Sequence, residues 1–228
     1  MTVSSRRRLV LCYGGTFDPI HAGHLDAALE VLARSNCDEL RFVPAAKPAL
    51  RGRPGAAARQ RLRMVELALA DARMEGRGDD RLRVDSIELD RQGTSYTIDT
   101  LEALRARFGA DDALAWVLGM DAFAQLTRWT RWGRLLECAH LVLLERPGCL
   151  EPADPQLQHL LAAYASDAPS ALRHSSAGRI WRVRQSPVDV SATALRAALP
   201  ECGAQLVIDG LLSPSVWAYI RAEGLYSP

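Results

Sequence analysis

The chain has 228 residues, 48% of them apolar and 24% charged, with a formal net charge of +1. These are the proportions of a globular protein long enough to bury a substantial core, and they exclude a disordered or collagen-like chain. A net charge this small gives no field for steering towards nucleic acid or an acidic membrane surface, and no segment approaches the length of a membrane span.

Short buried-strand patterns alternate with helical ones along the chain. "RLVLCY" (8–13) reads as a strand, and "GHLDAALEVLARS" (23–35) places Leu25, Ala28, Leu29 and Leu32 at helical spacing. "ELRFVP" (39–44) is the next strand. The loop "AAKPALRGRPG" leads to a helix from about Ala56 to Met74, with Leu62, Val65, Leu69 and Ala72 on its apolar face. "RLRVDSIEL" (81–89) is strand-like, and "TIDTLEALRARFG" (97–109) is a helix ending at a glycine. "ALAWVLG" (113–119) and "HLVLLER" (140–146) are two more buried strands with a helical region between them. Residues 149–178 turn rich in Pro, Ser, Ala and Asp and read as a surface excursion carrying one modest helix, "PQLQHLLAAYA". A strand "RIWRV", a helix in "DVSATALRAALP" entered through Ser191 or Thr193, and a last helix in "SPSVWAYIRAEG" complete the chain. This order predicts one α/β domain over 1–228: a Rossmann-like, doubly wound parallel sheet with a small helical part at 191–228.

Five cysteines, Cys12, Cys37, Cys138, Cys149 and Cys202, form no CxxC pair. That fits free thiols in a reducing cytoplasm better than a disulfide framework or a zinc knuckle. Among the basic residues Lys47 is the only lysine, and it falls on the loop after the second strand.

The richest stretch is "GGTFDPIHAGHL" (14–25), directly after the first strand. Ligands of open parallel sheets bind at the carboxyl ends of strands. Gly14 and Gly15 let backbone approach a ligand closely. The N-terminus of the next helix offers free N–H donors and partial positive charge to a phosphate, and His21 and His24 lie one turn apart there. The dinucleotide G-x-G-x-x-G and the P-loop G-K-[ST] are both absent, and no further ligands stand at zinc-site spacing. A plain glycine turn explains either histidine alone but not the whole string.

"GGTFDPIHAGHL" resembles the GxFDPxHxGH signature of the nucleotidyltransferase superfamily. "SYTIDTL" (95–101), "VLGMDAFAQLTRW", "AHLVLLERPG", "VSATALR" and "YIRAEGLY" resemble, in order and spacing, segments of bacterial nicotinate-nucleotide adenylyltransferases. The resemblance runs from Leu9 to Tyr226. It implies adenylyl transfer from ATP to nicotinate mononucleotide, giving nicotinate adenine dinucleotide and pyrophosphate, a step of NAD biosynthesis. It implies an ion, Mg²⁺, carried by the ATP phosphates with no protein metal site, and a cytoplasmic monomer or small homo-oligomer with no nucleic-acid or membrane partner.

By the same resemblance His21, His24 and Arg196 are the catalytic groups. Gly14, Gly15, Thr16, Phe17, Gly119, Asp121, Arg146, Ser191 and Thr193 complete the ATP site. Arginine's fixed fork at position 196 suits the departing β- and γ-phosphates. Asp121 either accepts hydrogen bonds from the ribose or caps the next helix, and Asp18-Pro19 shapes the turn. Thr16, Lys47, Arg51, Thr97, Trp129 and Thr130 are assigned to the mononucleotide, with the Trp129 ring stacking on the cationic pyridine and Thr97 receiving its carboxylate at a helix start. The chain departs from many relatives at Leu50, where a histidine is usual, and at Thr130, where a tyrosine is usual. Competing expectations are a related adenylyltransferase using nicotinamide mononucleotide or phosphopantetheine, and a nucleotide-binding protein without turnover.

Overall fold

A computed structural model describes residues 6–50, 52–186 and 190–227. In chain order the elements are β1 (Leu9–Gly15), α1 (Ala22–Ser35), β2 (Glu39–Pro44), α2 (Ala58–Met74), β3 (Leu82–Val84), α3 (Thr97–Phe108), β4 (Ala113–Gly119), α4 (Met120–Phe123), α5 (Leu135–Cys138), β5 (His140–Glu145), α6 (Pro155–Tyr164), β6 (Ala165–Ser166), β7 (Ile180–Arg184), α7 (Ala192–Ile208) and α8 (Pro214–Ala222). The strands form a seven-stranded parallel sheet in the order β3-β2-β1-β4-β5-β7-β6 with flanking helices, the α/β arrangement that the alternating strand and helix patterns predict. The order reverses between β1 and β4, where open sheets of this kind place their ligands. Among the described residues no helix is long and apolar enough to cross a membrane.

The chain forms two compact units, each built from separate stretches. The first comprises Met1–Gly14, Val31–Leu40 and Tyr96–Ser186. Here β1, β4, β5 and β7 pair in parallel, with Leu11 opposite Ala115, Val117 opposite Val142 and Leu143 opposite Arg182. The runs "LVLCY", "ALAWVL" and "HLVLLE" are buried at every position, as strands covered on both faces must be. The composition of 149–178 suggests surface decoration, yet Leu157 and Leu172 are wholly buried and β6 pairs with β7. Arg105 ties α3 to its surroundings through the carbonyls of Gly109, Asp112, Cys138 and Ser176.

The second unit comprises Gly15–Glu30, Arg41–Ser95 and Pro187–Pro228. The Asp71 carboxylate on α2 accepts from the Ser215 N–H at 2.9 Å and its hydroxyl at 2.6 Å, which fastens the start of α8. On α7, Gly203 leaves the room that the Trp217 indole fills; a Cβ there would overlap the ring.

Three elements differ from the sequence expectation. The strand over 81–89 is only Leu82–Val84, because the Asp85 carboxylate accepts the Ile87 N–H and the Ser86 carbonyl accepts from Leu89 and Asp90, turning the chain. Helix α7 does not stop at Pro200 but runs to Ile208. Its buried face, Leu195, Leu199, Gly203 and Leu206, continues on both sides of the proline, so packing outweighs the lost hydrogen bond. The apolar face of α2 is rotated from the expected one: Arg61, Met64, Val65, Ala68, Leu69 and Ala72 are buried, and Leu62 only half so.

Candidate active site

In the second unit the chain leaves β1 through Thr16 and Phe17. Phe17 takes a left-handed backbone (φ 49°), uncommon for a bulky residue and characteristic of constrained sites. Packing holds it there. Its ring is buried against Phe42 (5.5 Å between centroids) and meets His24 edge-on at 5.1 Å. Gly15 is required by this arrangement, since a Cβ on it would sit 2.7 Å from the Phe17 ring. The Asp18-Pro19 peptide is cis.

His21 lies immediately before α1, and its carbonyl accepts from the N–H groups of His24 and Leu25. The two imidazoles therefore stand over the helix N-terminus, with ring centroids 3.8 Å apart and planes tilted by 36°. His21 is buried and His24 half-buried. Beside them is the start of α7: a Cβ on Gly23 would come within 2.9 Å of the Val190 side chain. The segment entering α7 thus packs against the first turn of α1, and helix N-termini carry partial positive charge suited to a polyphosphate.

Ser191 caps α7, its hydroxyl accepting the Ala194 N–H at 3.2 Å. Thr193 is exposed, and its hydroxyl lies 3.4 Å from an Arg196 nitrogen. Arg196 Nη1 donates to the Asp18 carbonyl at 2.6 Å and stands 3.7 Å from the Asp18 carboxylate. The second unit therefore brings together Gly15, Thr16, Phe17, His21, His24, Ser191, Thr193 and Arg196. Lys47 is exposed on its own loop, which is pinned by backbone and side-chain hydrogen bonds to Ser95. Arg51 lies outside the described residues.

Three groups at this site have partners that the sequence does not mark. The buried Asp18 carboxylate accepts from the Gly55 N–H (2.8 Å), the Ala56 N–H (3.1 Å) and the Tyr226 hydroxyl (2.7 Å). Burial, then the bond to Asp18, pushes the Tyr226 hydroxyl well above the usual tyrosine range, so it remains a donor. Arg61, only 1% exposed, donates to the carbonyls of Thr16 (2.6 Å), Ala45 (2.6 Å), Ala46 (3.3 Å) and Ala56 (3.1 Å). Burial lowers its pKa while Asp18, Tyr226 and Glu88 raise it. It is one of four arginines on α2, with Arg59, Arg63 and Arg73, and only the fold sets it apart.

The first unit holds the other assigned residues. Gly14, near the end of β1, lies against the Trp116 indole, which a Cβ would overlap, so its smallness serves packing. Gly119 precedes α4 without a side-chain cap, and Asp121 lies in the first turn of that helix, so the capping role expected as an alternative is not filled by Asp121. Its carboxylate folds back over Gly119. Tyr13 is buried near both Asp121 and Arg146: burial pushes its hydroxyl above the usual range, Arg146 pulls it down and Asp121 raises it. Thr97 opens α3, Trp129 is half-buried rather than a core residue, and Thr130 and Arg146 are exposed.

Residues 12–198 match the model of the cytidylyltransferase-like family. The chain is 44% identical over 232 residues to a protein of Pseudomonas putida (strain W619) named "Probable nicotinate-nucleotide adenylyltransferase", with 99% of this chain and 98% of that one covered. This chain belongs to the nicotinate-nucleotide adenylyltransferase family. It is accordingly an enzyme, a nucleotidyltransferase. A family member from Cellvibrio japonicus (strain Ueda107), given the same name, is 42% identical over 94% of this chain and 96% of its own. The same fold appears in the nicotinic acid mononucleotide adenylyltransferase of Plasmodium falciparum complexed with NaAD, at a TM-score of 0.70 and 14% identity over 96% of this chain and 98% of that one.

Proposed function

We propose that this adenylyltransferase joins ATP to nicotinate mononucleotide, releasing nicotinate adenine dinucleotide and pyrophosphate, as a cytoplasmic step of NAD biosynthesis. A 5′-phosphate oxygen of the mononucleotide attacks the α-phosphorus of ATP and forms the new P–O bond. The bond from the α-phosphorus to the β-bridging oxygen breaks, and pyrophosphate leaves with that electron pair. The nucleophile is already an anion, so no general base is needed. The barrier lies in bringing polyanions together and stabilising charge at the α-phosphorus and the leaving group.

The observation that carries this reading is the close His21–His24 pair at the start of α1, with Val190, just before α7, against Gly23 and Arg196 on the Asp18 carbonyl. The rings and the N–H groups around Gly15, Thr16 and Phe17 hold the ATP phosphates. Arg196, Ser191 and Thr193 receive the departing pyrophosphate. Gly14, Gly119, Asp121 and Arg146 serve the adenosine. Thr16, Lys47, Arg51, Thr97, Trp129 and Thr130 serve the mononucleotide, Trp129 by stacking and Thr97 by taking the carboxylate that separates nicotinate from nicotinamide.

Mg²⁺ enters with the substrate as MgATP. An ion held by the phosphates and water is the usual arrangement for Mg²⁺ in nucleotide sites. The cysteines, none of them in a CxxC pair, suit the cytoplasm, and the small net charge suits an enzyme acting without nucleic acid, as a monomer or small homo-oligomer. In His24→Ala, turnover falls by roughly two to four powers of ten, as for other preorganised electrostatic donors, with the circular dichroism spectrum unchanged. Near-normal turnover in that variant would remove the phosphate role from the pair.

A further inference from the structure

We infer that Tyr226 and Asp18 are positioning residues for Arg196, setting where its guanidinium meets the pyrophosphate leaving group. The inference rests on the leaving-group role proposed for Arg196. Arginine has many rotamers and loses much side-chain freedom when it is held in one place. A phosphate-binding fork is effective only when something fixes it beforehand. Here Nη1 is fixed on the Asp18 carbonyl at 2.6 Å, with the Asp18 carboxylate 3.7 Å away, while a third of the side chain stays exposed.

That geometry depends on the Asp18 carboxylate not closing onto Arg196. Three donors hold it elsewhere: the Gly55 N–H on Oδ2, the oxygen that faces Arg196, and the Ala56 N–H and the Tyr226 hydroxyl, at 2.7 Å, on Oδ1. Tyr226 is itself placed at some strain, with a left-handed backbone at φ 59°. The turn at Gly55 admits its ring, since a Cβ there would lie 2.9 Å from the ring and 3.6 Å from the Arg196 side chain. A fold could satisfy Asp18 with the two backbone donors alone. The phenol adds a third on Oδ1, which with Ala56 fixes the plane of the carboxylate, keeps Oδ2 from swinging onto the guanidinium and leaves Arg196 to face phosphate. Without the hydroxyl, Asp18 closes on Arg196 as a direct ion pair and competes with the leaving group for it.

Tyr226→Phe keeps the ring and removes only that donor. Direct titration with magnesium pyrophosphate gives about three- to tenfold weaker binding, in the range of measured coupling between contacting groups. In steady state kcat falls by a similar factor while KM for nicotinate mononucleotide is unchanged. A purely structural loss would not follow the next pattern: in an Arg196→Lys background, adding Tyr226→Phe changes neither pyrophosphate affinity nor kcat further. Unaltered pyrophosphate affinity in Tyr226→Phe, or an equal loss in both backgrounds, would overturn the inference. So would a wild-type protein that binds no pyrophosphate. Because the titration needs no acceptor, silence with nicotinate mononucleotide would count against the proposed reaction and not against this arrangement.

Discussion

Replacing Arg61 with methionine keeps most of the side-chain volume and removes the cation and all its donors. Three carbonyls then lose a partner at close range, those of Thr16, Ala45 and Ala56, and the site is 1% exposed, so water cannot replace the guanidinium. Each orphaned buried acceptor costs about 1–3 kcal/mol. Against this, the variant no longer buries a cation whose desolvation is unfavourable. The balance is a loss of about 3–5 kcal/mol, a large part of the 5–15 kcal/mol typical of a native protein. For a chain of this size that is a fall in Tm of roughly 6–20 °C. Arg61→Lys, which can reach one carbonyl but not span several, falls between the two. Calorimetry of the three proteins decides the matter, and a methionine variant melting within about 2 °C of wild type would mean the guanidinium is not what holds these loops together.

Trp129→Ala weakens nicotinate mononucleotide binding more than ATP binding in direct titrations of each ligand; loss of ATP binding alone would refute the stacking role. His140 gives a pH prediction. Its Nε2 faces the Ser175 carbonyl and its Nδ1 accepts the Arg179 N–H, so the folded protein holds the neutral ring, and burial lowers its pKa from 6.5 to about 4. The unfolded chain binds the extra proton first. Stability is therefore full above about pH 6.5 and falls by about 3 kcal/mol as the pH drops to about 4. In urea titrations His140→Asn flattens that segment of the pH profile, and an unchanged slope would refute the assignment.

The parts of the site readable from the sequence are those written locally. His21 and His24 are three residues apart and fall one helical turn apart in space. Ser191, Thr193 and Arg196 likewise share the first turns of one helix, and the buried strands show as apolar runs because both faces are covered. What the sequence hides is held by long-range contacts. Asp18 meets partners 37, 38 and 208 residues away, and Arg61 reaches back 45 residues to Thr16. No window of sequence contains such pairs, and each of these residues in isolation reads as a turn former or a surface charge. The glycines at 14 and 15 were legible as glycines, but the rings that demand them, Trp116 and Phe17, became visible only with the fold. At Pro200 the local preference to end a helix is likewise overridden by burial on both sides.

The most direct measurement is pyrophosphate release from ATP and Mg²⁺ with nicotinate mononucleotide, nicotinamide mononucleotide and phosphopantetheine supplied in parallel. The proposed reaction predicts rapid release with the nicotinate compound, deamido-NAD formed in equal amount, and much slower release with the other two. Preferred turnover of phosphopantetheine or nicotinamide mononucleotide, or none with any acceptor in folded protein, would contradict it.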